Sequence, residues 1–280
     1  TAATGSPDIG GSRASMAIMA AETLGIPYEQ VRATVNDTTS VPYTHVTGGS
    51  RVTYASGMAV VNATNKVINE LRARAAKIWD VDVDGVEWED GHAKPSSSNV
   101  GDFEPLSLAE LAAKANATGG PIGTSEALSA GGQAPGFSTC FCDVEVDPDT
   151  GKVTILRFVL AQDAGTAIHK GYVEGQMQGG VVQGIGWALN EEYIYDDQGR
   201  LTNAGFLDYR IPVASDLPNI DTIVVEVPNP NHPFGVKGVG EVCICPTMAA
   251  VANAIADATG RRMEELPMSP PKLLDALDNR

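Results

Sequence analysis

The sequence predicts an α/β chain of two lobes, each mixing sheets and helices. Three observations predict it. Apolar residues between 54 and 79 recur at three- and four-residue steps, as on one buried helix face. STCFCDVEVD alternates with period two, as a strand does. Residues 93 to 138 turn rich in Pro, Ser, Gly and Ala and read as a link between lobes. The expected boundaries are a first lobe over 1–92, the link over 93–138 and a second lobe over 139–280.

Taken in order, ASMAIMAAETL (14–24) predicts a helix stopped by Gly25-Ile26-Pro27, and VRATV a strand. The long helix over 54–79 places Val60, Val61, Thr64, Val67, Ile68, Leu71, Ala75 and Ile78 along one stripe. VDVDGVEWEDGHAK reads as a hairpin turning at Asp84-Gly85. PLSLAELAAKA is a short amphipathic segment inside the link. A second hairpin turns at Asp147-Pro148-Asp149-Thr150-Gly151, and a glycine-rich helix follows near 172–190. A β region is expected over about 193–227. Pro246 then opens a helix that ends at Gly260.

Composition narrows the function. With 280 residues, 43% of them hydrophobic, the chain can bury a real core. A net charge of -16 disfavours nucleic acid and anionic membrane surfaces as partners. No apolar run approaches the roughly 20 residues a spanning helix needs, so no membrane insertion is expected. The opening TAATGSPDIGG has no initiator Met, basic n-region or apolar h-region, so Thr1 is not expected to be the natural start of translation. Four cysteines fall in two C-x-C pairs, Cys140/Cys142 and Cys243/Cys245. That spacing suits reduced thiols packed on a strand face better than the C-x-x-C of metal sites. A reducing cytoplasm fits best.

Three glycine-bearing segments carry the candidate chemistry. Gly10, Gly11, Ser12 and Arg13, and again Thr47, Gly48, Gly49, Ser50 and Arg51, run GGSR into a helix start. Bare backbone N–H groups, a hydroxyl and a guanidinium suit an anionic ligand; two ordinary capped helices are the alternative. In VEGQMQGGVVQGIGWALNEEY, Gln176, Gly180 and Gln183 share one helix face. Two amides flanking bare backbone can read the edge of a flat heterocycle, whereas tight helix packing would leave the glutamines at its rim. Finally, GVKGVGEVCICP sets one carboxylate, Glu241, after Gly240 in an otherwise apolar run.

TGGSR, DAGTAI, VEGQ, GGVVQGIG, GVKGVGE and ATGRRMEELPMSPPKLL occur in the order found in the molybdenum hydroxylases, the xanthine dehydrogenase and aldehyde oxidase family. The chain resembles the C-terminal half of their molybdopterin-binding subunit. The resemblance implies a molybdenum-dependent oxidoreductase that hydroxylates an N-heteroaromatic compound or an aldehyde with oxygen from water. Molybdenum would be held through the dithiolene of molybdopterin, in bacteria commonly its cytosine dinucleotide, with no side chain ligating the metal directly. Glu241 matches the family's base. The resemblance sets it in an apolar, water-poor pocket, where desolvation supplies the tuning a base needs.

By the same resemblance, Gly48, Gly49, Ser50 and Arg51 match the loop that holds the pterin dinucleotide. Gln183 matches the pterin-binding glutamine, Gln176 the VEGQ position, and Gly10 to Ser12 a cofactor loop that often carries a Gln absent here. DAGTAIHK has His169-Lys170 where the family has Asn-Pro, and His169 is expected in a surface loop without a role. Implied partners are the N-terminal half of the molybdenum subunit, on another chain if the subunit is split, a 2Fe-2S subunit and a flavoprotein carrying FAD. Processing of a longer polypeptide would equally account for the missing half. The assembly would be a hetero-oligomer. Two rivals stand: a non-catalytic scaffold subunit of such a complex, and a nucleotide-binding domain of other function.

Overall fold

The computed structural model describes residues 1–129, 131 and 134–278. It is a mixed α/β structure of two compact units, one formed by 1–133 with 230–236, the other by 134–229 with 237–280.

The first unit opens with β1 (Ala2–Thr4), α1 (Ser12–Leu24) and β2 (Ala33–Val35), and the two strands pair in parallel. α1 stops at Gly25, whose left-handed backbone closes the last turn, as the Gly-Ile-Pro signal predicts. The long α2 (Val52–Trp79) buries Val61, Thr64, Leu71 and Ala75 of the expected stripe. Its second half packs on the antiparallel sheet β3 (Val86–Glu89), β4 (His92–Pro95) and β5 (Leu106–Ser107), with Leu111 of α3 (Leu108–Ala113) sealing the core.

The β3–β4 hairpin turns at Asp90-Gly91, not at Asp84-Gly85. Asp90 and Gly91 both take positive φ, 49° and 74°, the backbone a tight hairpin requires. Val83–Gly85 forms a single 3₁₀ turn instead. The sequence offers two Asp-Gly pairs, both with Val or Trp nearby, and only the pairing of Val86–Glu89 with His92–Pro95 selects the second. The link expected over 93–138 also differs. β4, β5, α3 and α4 (Ala115–Thr118) lie in it and belong to the first unit, while residues 130, 132 and 133 fall outside the described residues. Residues 230–236 join this unit too. There His232 is buried, its ring 5.4 Å from that of Tyr54, and burial lowers its basicity.

The second unit is a three-stranded sheet, β6 (Ser138–Val146), β7 (Val153–Asp163) and β8 (Ile220–Val225), in that order. β6 and β7 form the expected hairpin, and β8 returns parallel to β7 after α5 (Lys170–Leu189). α6 (Ile244–Thr259) ends at Gly260 as predicted. α7 (Pro270–Asp278), which the sequence reading did not assign, buries Leu273. The β region expected over 193–227 reduces to β8 and one isolated bridge, Tyr195 with Leu201. Phe158, Leu160, Met177, Val181, Ile185, Val251 and Ile255 form the core between sheet and helices.

Cys140 and Cys142 pack against this core, as their alternation predicts, and Cys243 is buried within it. Burial pushes the Cys142 thiol up to about 12 and the Cys243 thiol up to about 11, from an ordinary 9.0. Only Cys245 is exposed. An aromatic disulfide reagent at neutral pH is therefore expected to label Cys245 fast and the other three only on unfolding. The same shifts set an alkaline limit. Between about pH 9 and 11 the unfolded thiols lose protons that the folded ones keep, so stability falls as pH rises through that window.

Candidate functional site

The two GGSR segments, alike in sequence, are built differently. At α1, Asp8 folds back over the helix start. Its Oδ1 accepts from the Arg13 amide at 3.1 Å, and its Oδ2 lies 3.0 Å from Arg13 Nε. Ser12 is buried, its hydroxyl 3.5 Å from the Pro7 carbonyl. The carboxylate of Asp8 thus meets both the helix N–H and the guanidinium that an anion would seek. Gly10 and Gly11 shape this turn with φ of 59° and 76°.

At α2 the start is open. Arg51 is the N-cap and makes no side-chain cap bond. Gly49 and Ser50 both take left-handed backbone, φ 69° and 54°, and a Cβ on Gly48 or Gly49 would meet nothing within 4 Å. Arg51 reaches the Val46 carbonyl at 3.5 Å, bending the loop from Thr47 around its guanidinium. Ser6 bonds Ser56 in the first turns of α2 at 2.8 Å, tying the chain that leads to α1 against it. Backbone donors, a hydroxyl and a guanidinium beside bare glycines fit a phosphate-bearing cofactor. The two loops therefore differ in this structure: 47–51 is open at its helix start, and 10–13 carries the carboxylate of Asp8.

On α5 the glycines divide into two kinds. Gly180 and Gly184 are close-approach positions. A Cβ at Gly180 would run into Cys243 Sγ and lie 3.0 Å from the Gly240 carbonyl; at Gly184 it would lie 2.7 Å from Thr247 Cγ2. Gly175 and Gly179 have open space, and Gly179 is exposed three residues after Gln176 and four before the exposed Gln183. The bare backbone between the two amides is therefore Gly179, not Gly180, whose face is filled by α6. His169, expected in a surface loop without a role, is the N-cap of α5. Its Nδ1 accepts from the Tyr172 amide at 3.3 Å, and its ring stacks on Tyr172.

Glu241 follows Gly240 at the entry to α6. Its backbone is held close: Cys243 Sγ lies 3.3 Å from the Gly240 carbonyl and 3.7 Å from the Gln176 carbonyl of α5. The structure thus brings Gln176, Gly180, Gly240 and Glu241 to one place. Glu241 itself is exposed on this chain, which corrects the expectation of a carboxylate in a water-poor pocket. Cys243 and Thr247 are buried in the core, whereas Glu241 two residues before Cys243 is exposed. Among the described residues no group of three or more His, Cys, Asp or Glu could hold a metal ion directly.

Sequence reasoning missed the groups under this loop. Gln162 is buried at 1% exposure and donates through Nε2 to the Val239 carbonyl at 2.9 Å. Beside it, Asp163 Oδ2 and Lys237 Nζ form an ion pair of 2.6 Å, each side chain only 10% exposed. Burial raises the Asp163 carboxyl, but Lys237 and the Gly165 amide outweigh that and hold it below the usual range. A lysine between glycines in an apolar run was the available signal, since such a charge needs a partner when buried.

The model of the molybdopterin cofactor-binding domain family matches residues 1–218. The gamma subunit of the 6-hydroxypseudooxynicotine dehydrogenase complex of Paenarthrobacter nicotinovorans is 33% identical over 98% of this chain and 35% of its own length. A putative xanthine dehydrogenase molybdenum-binding subunit of Escherichia coli (strain K12) is 33% identical over 97% of this chain and 37% of its own. A crystal structure of a Cu,Mo-CO dehydrogenase superposes with a TM-score of 0.84 at 27% identity, covering 99% of this chain and 36% of that one. The chain therefore spans about a third of the relatives it matches. It is a member of the molybdopterin cofactor-binding domain family.

Proposed function

We propose that this chain is part of the molybdenum-cofactor subunit of a molybdenum hydroxylase that oxidatively hydroxylates an N-heteroaromatic compound or an aldehyde with oxygen from water. The observation that carries the proposal is the presentation of Glu241, outward-facing on a backbone gripped by Cys243 and α5. A base must reach the proton it takes within about 2.6–3.2 Å, so an exposed glutamate on a fixed backbone suits that task. The substrate class is supported by relatives named nicotine 6-hydroxylase large subunit, quinoline 2-oxidoreductase and aldehyde oxidoreductase.

Bound here, molybdopterin, in its cytosine dinucleotide form, would supply the two-electron redox chemistry. On the first unit the N–H groups of 48–50, the Ser50 hydroxyl and Arg51 would suit its anionic end; on the second, Gln176 and Gln183, with Gly179 bare between them, would suit its flat amide-bearing edge. Glu241 takes up the proton at its carboxylate. The rest of the molybdenum subunit, a 2Fe-2S protein and an FAD flavoprotein complete the cytoplasmic assembly and carry the electrons away.

Purification of the native assembly with elemental analysis tests this. Molybdenum equimolar with this chain, with iron and flavin on co-purifying subunits, is the expected result. An assembly without molybdenum that releases some other nucleotide would overturn it.

A further inference from the structure

We infer that Gln162, Asp163 and Lys237 are positioning residues that hold the Lys237–Glu241 loop on the end of β7 and so aim Glu241. The inference rests on the reading of Glu241 as the base. Four attachments converge on a stretch of five residues. The Lys237 ammonium pairs with Asp163 at 2.6 Å and its amide donates to the Ala164 carbonyl at 3.2 Å. Gln162 Nε2 binds the Val239 carbonyl at 2.9 Å. Cys243 Sγ reaches the Gly240 carbonyl at 3.3 Å. Two of the five residues are glycines, so without these attachments the loop has wide backbone freedom.

The anchor under the loop is itself fixed. Asp163 Oδ1 accepts from the Gly165 amide at 2.9 Å and the Val227 amide at 3.4 Å, and the Asp163 amide donates to the Phe137 carbonyl at 2.9 Å. Beyond the loop, the Ser138 hydroxyl donates to the Val242 carbonyl at 3.0 Å. Both sides of the glutamate are therefore tied to one sheet.

Stability alone does not account for these groups. A buried ion pair recovers little more than its own desolvation, and apolar replacements are often as stable. Gln162 goes further, because its Oε1 is buried without a hydrogen-bond partner. An apolar side chain of the same length would remove that unsatisfied acceptor. What it could not do is hold Val239. A displacement of about 1 Å at a reacting group costs on the order of 10²-fold in rate, so a clamp on this backbone has a catalytic purpose.

The test uses the assembled enzyme carrying Gln162→Met, with Lys237→Met and Lys237→Arg alongside. For Gln162→Met the thermal midpoint and molybdenum content should stay at wild-type values. Hydrogen exchange in the peptide covering 237–243 should rise about tenfold, with β6, α5 and α6 unchanged. kcat should fall roughly 10- to 100-fold at constant KM. Lys237→Arg should retain most of the protection that Lys237→Met loses. Wild-type exchange and kcat in Gln162→Met, with Glu241→Gln inactive, would overturn the clamp. Normal turnover in Glu241→Gln would instead remove the base, while the exchange data still report whether the clamp exists.

Discussion

Glu241→Gln in the assembled, molybdenum-loaded enzyme is expected to lower kcat by roughly 10²- to 10⁴-fold, the range a positioned general base supplies. Glutamine keeps the size and the hydrogen-bonding outline of glutamate but cannot take up a proton. The loop stays attached through Lys237, Val239 and Gly240, so the backbone around position 241 should not move. KM and molybdenum content are therefore expected to be unchanged, with kcat and kcat/KM falling together. Steady-state kinetics beside metal analysis on the same preparation makes the measurement. Full molybdenum with normal turnover would assign this chain to a scaffold. The loss should exceed that of the clamp variants, because they misplace the base and this one removes it.

Local pattern made much of the fold legible. α2 declared itself because a 28-residue helix repeats its buried stripe many times, and the β6–β7 turn because Asp-Pro-Asp-Thr-Gly has few other uses. The first hairpin was misplaced where two Asp-Gly pairs competed within one short stretch. Tyr193, Ile194 and Tyr195 favour strands by type, yet all are exposed and only Tyr195 makes a bridge. Strand preference is decided by neighbours that sequence does not display.

The site was legible as composition and less so as direction. Apolar neighbours suggested a buried Glu241, but the turn into α6 sends Cys243 inward and leaves the glutamate exposed. On a helical projection Gly179 and Gly180 sit equally close to the two glutamines, and only the packing of α6 separates them. The two GGSR loops look identical until Asp8 is seen folded over one of them. Asp163 and Lys237 lie 74 residues apart, a pairing that no local motif announces.

Gly180→Ala is expected to destabilise the second unit by about 1 kcal/mol, a midpoint loss of roughly 2–4 °C in thermal unfolding. Two effects oppose each other. Replacing a helix-interior glycine with alanine contributes about 1 kcal/mol in favour of the helix. Against this, the added Cβ collides with Cys243 Sγ and crowds the Gly240 carbonyl at 3.0 Å, and Cys243 has no exposed surface into which to retreat. Overpacking of a filled core costs about 1–3 kcal/mol, and here a backbone atom stands behind the side chain, so the collision wins. Gly179→Ala supplies the control on the same helix. With nothing within 4 Å it should gain about 1 kcal/mol. Cys243→Ala removes the sulfur in the way, so the double variant with Gly180→Ala should cost less than the two single changes summed, with a coupling on the order of 1 kcal/mol. Additive costs would mean that the crowding arises elsewhere. Because the carbonyl that yields belongs to Gly240, the same substitution should also loosen the backbone beneath Glu241, joining a packing defect between α5 and α6 to a loss of aim at the carboxylate.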